Sequence, residues 1–263
     1  MVSSRPRTYS TNGLVIRLQD LGEADRLLTI LTPERGILRA VARSARKPKS
    51  RVGGHLDLLR HVSLSVREGR TLDNISQAET VSSFRKLRNS LARMSRGLYM
   101  AELAEKFSVE GGSNPIVFRL LVSGLAHLEE ADQPDMLVRW YELCLLRLSG
   151  FQPGVSTCVE CSGSLEQEEH VFSAERGGIV CPDCRAAGGD ILLPAGVPAI
   201  KVLRHLSRSE WPAADGLRVG SDDLHQVDRI LREHMQFVMD RVVKSTAFMD
   251  EVRKWQPGML NAW

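Results

Sequence analysis

Residues 26–42, RLLTILTPERGILRAVA, contain two β-rich runs around a turn. The runs Arg26–Thr32 and Gly36–Ala42 flank Thr32-Pro33-Glu34-Arg35-Gly36, with Pro and Gly in turn positions, so they are expected to form a hairpin. Upstream, Asn12–Leu18 is a third β-rich run. Downstream, His55–Arg67 carries Leu56, Leu58, Val62, Leu64 and Val66 with a period of two. Glu68-Gly69-Arg70 then turns the chain into a last strand, Thr71 to about Ala78. Five short strands in about 70 residues fit a small closed barrel, and the OB-fold has this strand count and a habit of binding nucleic acid. A small sandwich is the competing arrangement.

After Val81 the period becomes helical. Phe84, Leu87, Leu91, Met94, Leu98 and Ala101 recur at spacings of three and four, on one helix face. Asn114-Pro115 reads as a cap and first helical residue, opening a helix to Glu129 or Glu130. Pro134 opens another, apolar nearly all round through Trp140, Leu143, Cys144, Leu145, Leu146 and Leu148, which ends at Gly150. Leu224, Val227, Leu231, Val238 and Val242 mark a late amphipathic helix with Ser221 as its cap. The expected class is α+β. An OB-fold domain spans 1–82 and an α-helical domain 83–263, with a cysteine module inserted at about 155–190.

The net charge of +3 hides a split. Residues 1–100 carry 19 Lys/Arg against 8 Asp/Glu, a balance of +11, and the remaining 163 carry 16 against 24, a balance of −8. Such asymmetry assigns a polyanion to the first part and other duties to the second. A solvated surface with clustered charges is the plain alternative. No stretch reaches the roughly 20 apolar residues of a membrane span, and no secretory h-region follows the N-terminal arginines, so a cytoplasmic location is expected.

Cationic residues concentrate between Glu34 and Asp57, a stretch without an acid that holds Arg35, Arg39, Arg43, Arg46, Lys47, Lys49 and Arg51. A loop of cations and small residues can follow a phosphate backbone, each contact displacing condensed counterions. Arg39 and Arg43 are read at even spacing on one strand face. The following helix adds Arg85, Lys86, Arg88, Arg93 and Arg96. Only Tyr9 among aromatics precedes Phe84, so base stacking is not the main source of affinity, and backbone contact should dominate. A mobile solubilising loop is the alternative.

Of the five cysteines, Cys158/Cys161 and Cys181/Cys184 form two CxxC pairs separated by nineteen residues, enough for a short hairpin. This spacing most often builds a tetrahedral Zn²⁺ site of four thiolates. Four cysteines leave no open position, which makes the metal structural rather than catalytic. Gly177-Gly178 before the second pair is read as letting the backbone approach the metal. Glu160, Glu166, Glu168 and Glu169 against Arg176 and Arg185 make the segment acidic and unsuited to phosphate. Cys144 reads as a small core hydrophobe.

Several segments together resemble the bacterial RecO recombination-mediator family over nearly the full length. They are Gly22-Glu23-Ala24-Asp25-Arg26, Thr32–Gly36, Ala42–Arg51 with Gly53-Gly54, Ala101-Glu102-Leu103, Leu145–Pro153, the two CxxC pairs and Gly177-Gly178. The resemblance implies an N-terminal OB-fold, a helical domain and a zinc module. It also implies binding of single- and double-stranded DNA and annealing of complementary strands. With RecR, such a protein helps load RecA onto strands covered by single-stranded-DNA-binding protein (SSB), whose C-terminal tail it contacts. Arg39, Arg43, Arg46, Lys47, Lys49 and Arg51 match the family's basic surface, and Cys158, Cys161, Cys181 and Cys184 its zinc ligands. The nucleoid is the implied place of work. The tail Trp255–Trp263 falls outside the pattern.

An enzyme would require a paired catalytic constellation or an open metal, and the seven histidines are scattered. No GxxxxGK[ST] phosphate cradle is present, so no ATP use is expected. A sequence-specific regulator would need a recognition helix, for which the basic helix after Phe84 is the one candidate. An OB-fold RNA-binding protein is a third reading.

Overall fold

A computed structural model of the chain describes residues 7–165, 169–186, 190–211 and 213–255, with side chains up to residue 240. Five strands come first: β1 (Thr8–Leu21), β2 (Asp25–Thr32), β3 (Gly36–Ala42), β4 (His61–Arg67) and β5 (Asp73–Ser82). They close into a barrel in the order β1-β2-β3-β5-β4, antiparallel except where β3 meets β5. This is the five-stranded OB-fold barrel. Alternation builds its interior, where Val15, Leu28, Ile30, Leu38, Ala40, Val62, Leu64, Val66 and Ile75 meet.

The expected hairpin is present, Arg26 pairing with Ala42 and Thr32 with Gly36. Three strands differ in extent from the sequence reading, and β5 runs from Asp73 to Ser82 rather than from Thr71 to about Ala78. β1 is longer because it pairs first with β4 and then with β2, with a register shift between Val15 and Arg17. β4 begins at His61 rather than His55. Leu59 takes a positive φ of 55°, Leu59 N–H donates to the Val15 carbonyl at 2.8 Å, and Leu56 drops into the barrel interior. The leucine alternation there seals a barrel end instead of extending a strand.

Helices α1 (Arg85–Arg88), α2 (Leu91–Lys106), α3 (Pro115–Glu130) and α4 (Pro134–Leu148) follow. The single helix expected after Val81 is broken at Asn89-Ser90. Ser90 caps α2 by accepting the Arg93 N–H, and Leu91, expected on the buried face, is 86% exposed. Asn114 caps α3 as expected, with Pro115 at its first position. Every α4 residue from Met136 to Leu146 is buried, while Leu148 is exposed. Leu14 and Leu31, partners across β1 and β2, are fully buried on strands against which α2 and α3 lie.

The chain divides into two compact units. The first runs to Leu148 and takes in Glu210–Gly216; the second comprises Ser149–Ser209 and the chain from Leu217 on. In the first unit, Trp211 is buried against Trp140 at 5.9 Å between ring centroids. The Asp215 carboxylate accepts the Asp132 and Gln133 N–H groups just ahead of α4, where the helix dipole favours an anion. The second unit contains an antiparallel sheet in the order β7-β6-β8. Its strands are β6 (His170–Ser173), β7 (Gly178–Val180) and β8 (Leu192–Ala195), joined by α5 (Val197–Arg208) and α6 (Ser221–Trp255). The β6–β7 hairpin lies between the cysteine pairs, as the spacing anticipated; β8 and α5 were not anticipated.

Candidate nucleic-acid interface and thiolate centre

The segment after β3 is ordered turn by turn. Ser44 sits at φ 55° and its N–H donates to Asp25 Oδ1 at 2.7 Å, while the Arg46 N–H donates to the Ala24 carbonyl at 2.9 Å. Lys47 N–H to Ser44 O, Ser50 N–H to Lys47 O and Gly53 N–H to Ser50 Oγ continue the series. A Cβ on Gly53 would lie 1.9 Å from the Ala45 carbonyl oxygen, so only glycine allows that approach. Ala45, Val52 and Leu56 pack into the barrel core and tether the segment from beneath. It is therefore a built loop rather than a mobile tether.

All seven cations singled out in the sequence are exposed, but they do not form one group. Arg43, Arg46, Lys47, Lys49 and Arg51 share the loop. Arg39 stands on the outer face of β3, and Arg43 lies one residue past the end of that strand. Arg35 is at the opposite end of β3, about 20 Å away by strand length. There its guanidinium lies 3.7 Å from the Tyr9 ring centroid and pairs with Glu68 at 3.4 Å. Arg46 pairs with Asp20 at 3.4 Å. Among the described residues Arg39, Arg43, Lys47, Lys49 and Arg51 form no ion pair. The groove on the outer face of β1, β4 and β5, lined by Ser10, Ser63, Ser65, Gln77 and Glu79 among others, holds no Lys or Arg among its lining residues.

The helix cations behave differently. Lys86 pairs with Glu130 and Arg88 with Asp57; Arg96 grips Asp135 with two bonds. Arg93 donates to the Leu128 and Ala131 carbonyls at the end of α3. Of the five, only Arg85 forms no ion pair or side-chain hydrogen bond among the described residues. One further cation lies beside Arg39. Arg17 pairs with Thr29 across β1–β2, and Thr29 with Arg39 across β2–β3, so the three form a row over the outer face. Arg17 also holds Glu105 at 2.8 Å. Its strand register, invisible before pairing was known, is what places it there.

The four paired cysteines converge, with all Sγ atoms within 4.8 Å of one another. Cys161 and Cys181 Sγ are 3.8 Å apart, the edge of a tetrahedron with metal–sulfur bonds of about 2.3 Å. Two turns present the sulfurs. Cys158 N–H donates to Gly163 O with Ser162 at φ 61°, and Pro182–Cys184 forms a single 3₁₀ turn. Burial works to raise the Cys158 thiol, but N–H donors from Cys161, Cys181 and Glu160 outweigh it and bring it down to about 6. Contacts with the Cys181 and Cys161 sulfurs push Cys184 the other way. Four thiols this close cannot all ionise unaided, and a bound cation is what would let them. The donor set fits a soft or borderline metal ion.

Gly163 lets the backbone approach the Cys161 sulfur, for a Cβ there would sit 3.2 Å from it. Gly177-Gly178 does something else: Gly177 takes a positive φ of 77°, and a Cβ on Gly178 would lie 2.3 Å from the Gly154 carbonyl oxygen, so Gly178 serves close backbone packing. Glu160 and Glu169 are exposed, whereas Glu166 and Glu168 lie outside the described residues, as does the tail beyond Trp255. Cys144 is buried in α4 and burial raises its thiol to about 11, which suits a core side chain. No described helix is long and apolar enough to cross a membrane.

Barrel, cationic loop, helices and four-cysteine cluster together define the class: an α+β OB-barrel protein with a cationic face and four cysteines that could hold a metal ion. Sequence comparison then gives the family. Residues 7–84 match the N-terminal domain of recombination protein O and residues 88–247 its C-terminal domain. The DNA repair protein RecO of Dehalococcoides mccartyi (strain CBDB1) is 34% identical over 250 residues, 95% of this chain and 98% of the relative. That of Roseiflexus sp. (strain RS-1) is 38% identical over 251 residues, 95% and 88% of the two chains. The chain belongs to the RecO family of DNA repair and recombination proteins.

Proposed function

We propose that this protein is a non-enzymatic recombination mediator that binds DNA through the loop after β3. The observation that carries the reading is a set of exposed cations that form no ion pair among the described residues: Arg39 on β3, and Arg43, Lys47, Lys49 and Arg51 on the following loop, which hydrogen bonds hold in shape. Preformed cations give up less conformational entropy when they meet phosphates. Arg46 adds a sixth positive charge beside Asp20. The protein binds single- and double-stranded DNA and anneals complementary strands. With RecR it helps load RecA onto SSB-coated strands, touching the SSB C-terminal tail, and it works at the nucleoid. Residues 1–82 handle DNA and 83–263 serve the protein partners. Cys158, Cys161, Cys181 and Cys184 hold one structural Zn²⁺. The engagement of Lys86, Arg88, Arg93 and Arg96 within the protein argues against a recognition helix, and so against a sequence-specific regulator.

The deciding experiment is annealing of SSB-coated complementary strands without nucleotide, which the protein should accelerate; no acceleration would sink the mediator reading. Charge reversal at Arg43, Lys47 and Lys49 should weaken single-strand binding and flatten its log–log salt dependence by about 2, from about 0.7 per phosphate contact. Unchanged affinity and slope would remove the loop from the interface.

A further inference from the structure

We propose that Asp25 is a positioning residue for DNA binding: an anion within the cationic face whose role is to hold the loop in its binding shape. This rests on the DNA-binding reading of the loop. Asp25 is the first residue of β2, half-buried, and its Oδ1 accepts the Ser44 N–H at 2.7 Å. The β2–β3 ladder ends at the Arg26–Ala42 pair. Beyond it the chain turns sharply, with Ser44 at φ 55°, a backbone conformation that a non-glycine residue keeps only when its surroundings enforce it. The Asp25 carboxylate supplies the acceptor that the ladder no longer offers. Its neighbours complete the clamp: Ala24 O accepts the Arg46 N–H at 2.9 Å, and Gly22 O accepts Arg46 Nη1 at 3.1 Å.

Among the described residues Asp25 forms no ion pair. Its carboxylate accepts a backbone amide, although Arg43 and Arg46 flank that amide in sequence. Charge and geometry thus predict opposite outcomes. If Asp25 were merely a negative charge near phosphates, removing it would strengthen DNA binding. If it positions the loop, Asp25→Ala weakens binding although the face becomes more positive, because fewer molecules hold the competent loop shape.

The test uses the full chain and a fluorescent oligothymidine strand in a salt titration, together with amide exchange at Ser44 and Arg46. Asp25→Ala is expected to weaken binding about tenfold, as a fall of the ordered loop to about a tenth of the population would do. Exchange protection at both amides is lost with it. Asp25→Asn keeps the Oδ1 acceptor without the charge, so it should bind at least as tightly as the parent and retain protection. Gly53→Ala, which alters no charge but drives a Cβ into the Ala45 carbonyl, should reproduce the weakening. It carries the test if Asp25→Ala does not fold. Asp25→Ala binding as tightly as the parent, or Asp25→Asn weakening as much as Asp25→Ala, overturns the proposal. A parent protein without salt-dependent binding defeats the DNA-binding reading instead, and the exchange comparison still decides whether Asp25 orders the loop.

Discussion

His234 is 4% exposed, donates from Nε2 to the Phe151 carbonyl at 2.8 Å and stands edge-on to Phe172. Its Nδ1 has no hydrogen-bond partner among the described residues. Burial pulls the imidazole below its ordinary value of 6.5, and the bond to Phe151 opposes this only partly. The folded state therefore resists a proton that the unfolded chain accepts near 6.5. Stability from this group is complete above that pH and falls as the pH drops through 6.5 toward the lower folded value, where the loss is complete. Thermal melts between pH 7.5 and 5.5 should show a declining midpoint, and His234→Gln should flatten the decline. A residual slope is expected from His61 and His127, both also held below 6.5 by burial, with Asp215 acting against burial at His127. None of this is legible in the sequence, where seven histidines look alike.

Helix α3 ends at a cluster of borrowed contacts. Arg93 from α2 donates to the Leu128 and Ala131 carbonyls, and Glu129 accepts the Lys86 and Leu87 N–H groups of α1. Arginine at a helix C-terminus satisfies orphan carbonyls and meets the negative end of the dipole. Arg93→Ala should therefore lower stability by about 1–3 kcal/mol while leaving oligonucleotide affinity within about twofold. A large loss of affinity at unchanged stability would put α2 back in the interface. At this scale the sequence told much of the story. The Gly36–Ala42 strand, the hairpin before it and the Asn114 cap are local signals, and local signals survive folding. The break at Ser90 depends on a capping serine competing with an otherwise continuous apolar stripe, and β8 is only four residues long and half-buried. Neither gives a periodicity strong enough to read. The seven cations were legible as residues, but their division into free and engaged members was not, because the ion-pair partners of Arg35 and Arg46 lie 33 and 26 residues away.

Across the molecule the four-cysteine cluster and the cationic loop lie in different compact units, and they should fail independently. The small core around the thiolates consists of Cys158, Cys181 and Cys184 with Val159, Leu165, Val171, Val180 and Leu192. Three of these eight side chains are candidate metal ligands, so a bound metal would substitute for hydrophobic volume the module lacks. Chelation, or Cys158→Ala, is expected to release zinc, measurable with a chromogenic chelator, and to melt this module at a lower temperature. DNA affinity should change by less than about twofold, because the loop and the cysteines belong to different compact units. A variant without metal whose melting is unchanged would refute the structural role.

The chain's route through its two units has a kinetic side as well. Trp211 and Asp215, which pack against Trp140 and bond the amides ahead of α4, follow Leu148 by more than sixty residues of the other unit. On the ribosome, at about 5–20 residues per second, those residues emerge about 3–14 s after α4 is complete. During that interval the barrel can close, since its strands are all made, but Trp140 waits without Trp211. The nascent helical half is therefore exposed to chaperones or misassembly until the cysteine module has been synthesised.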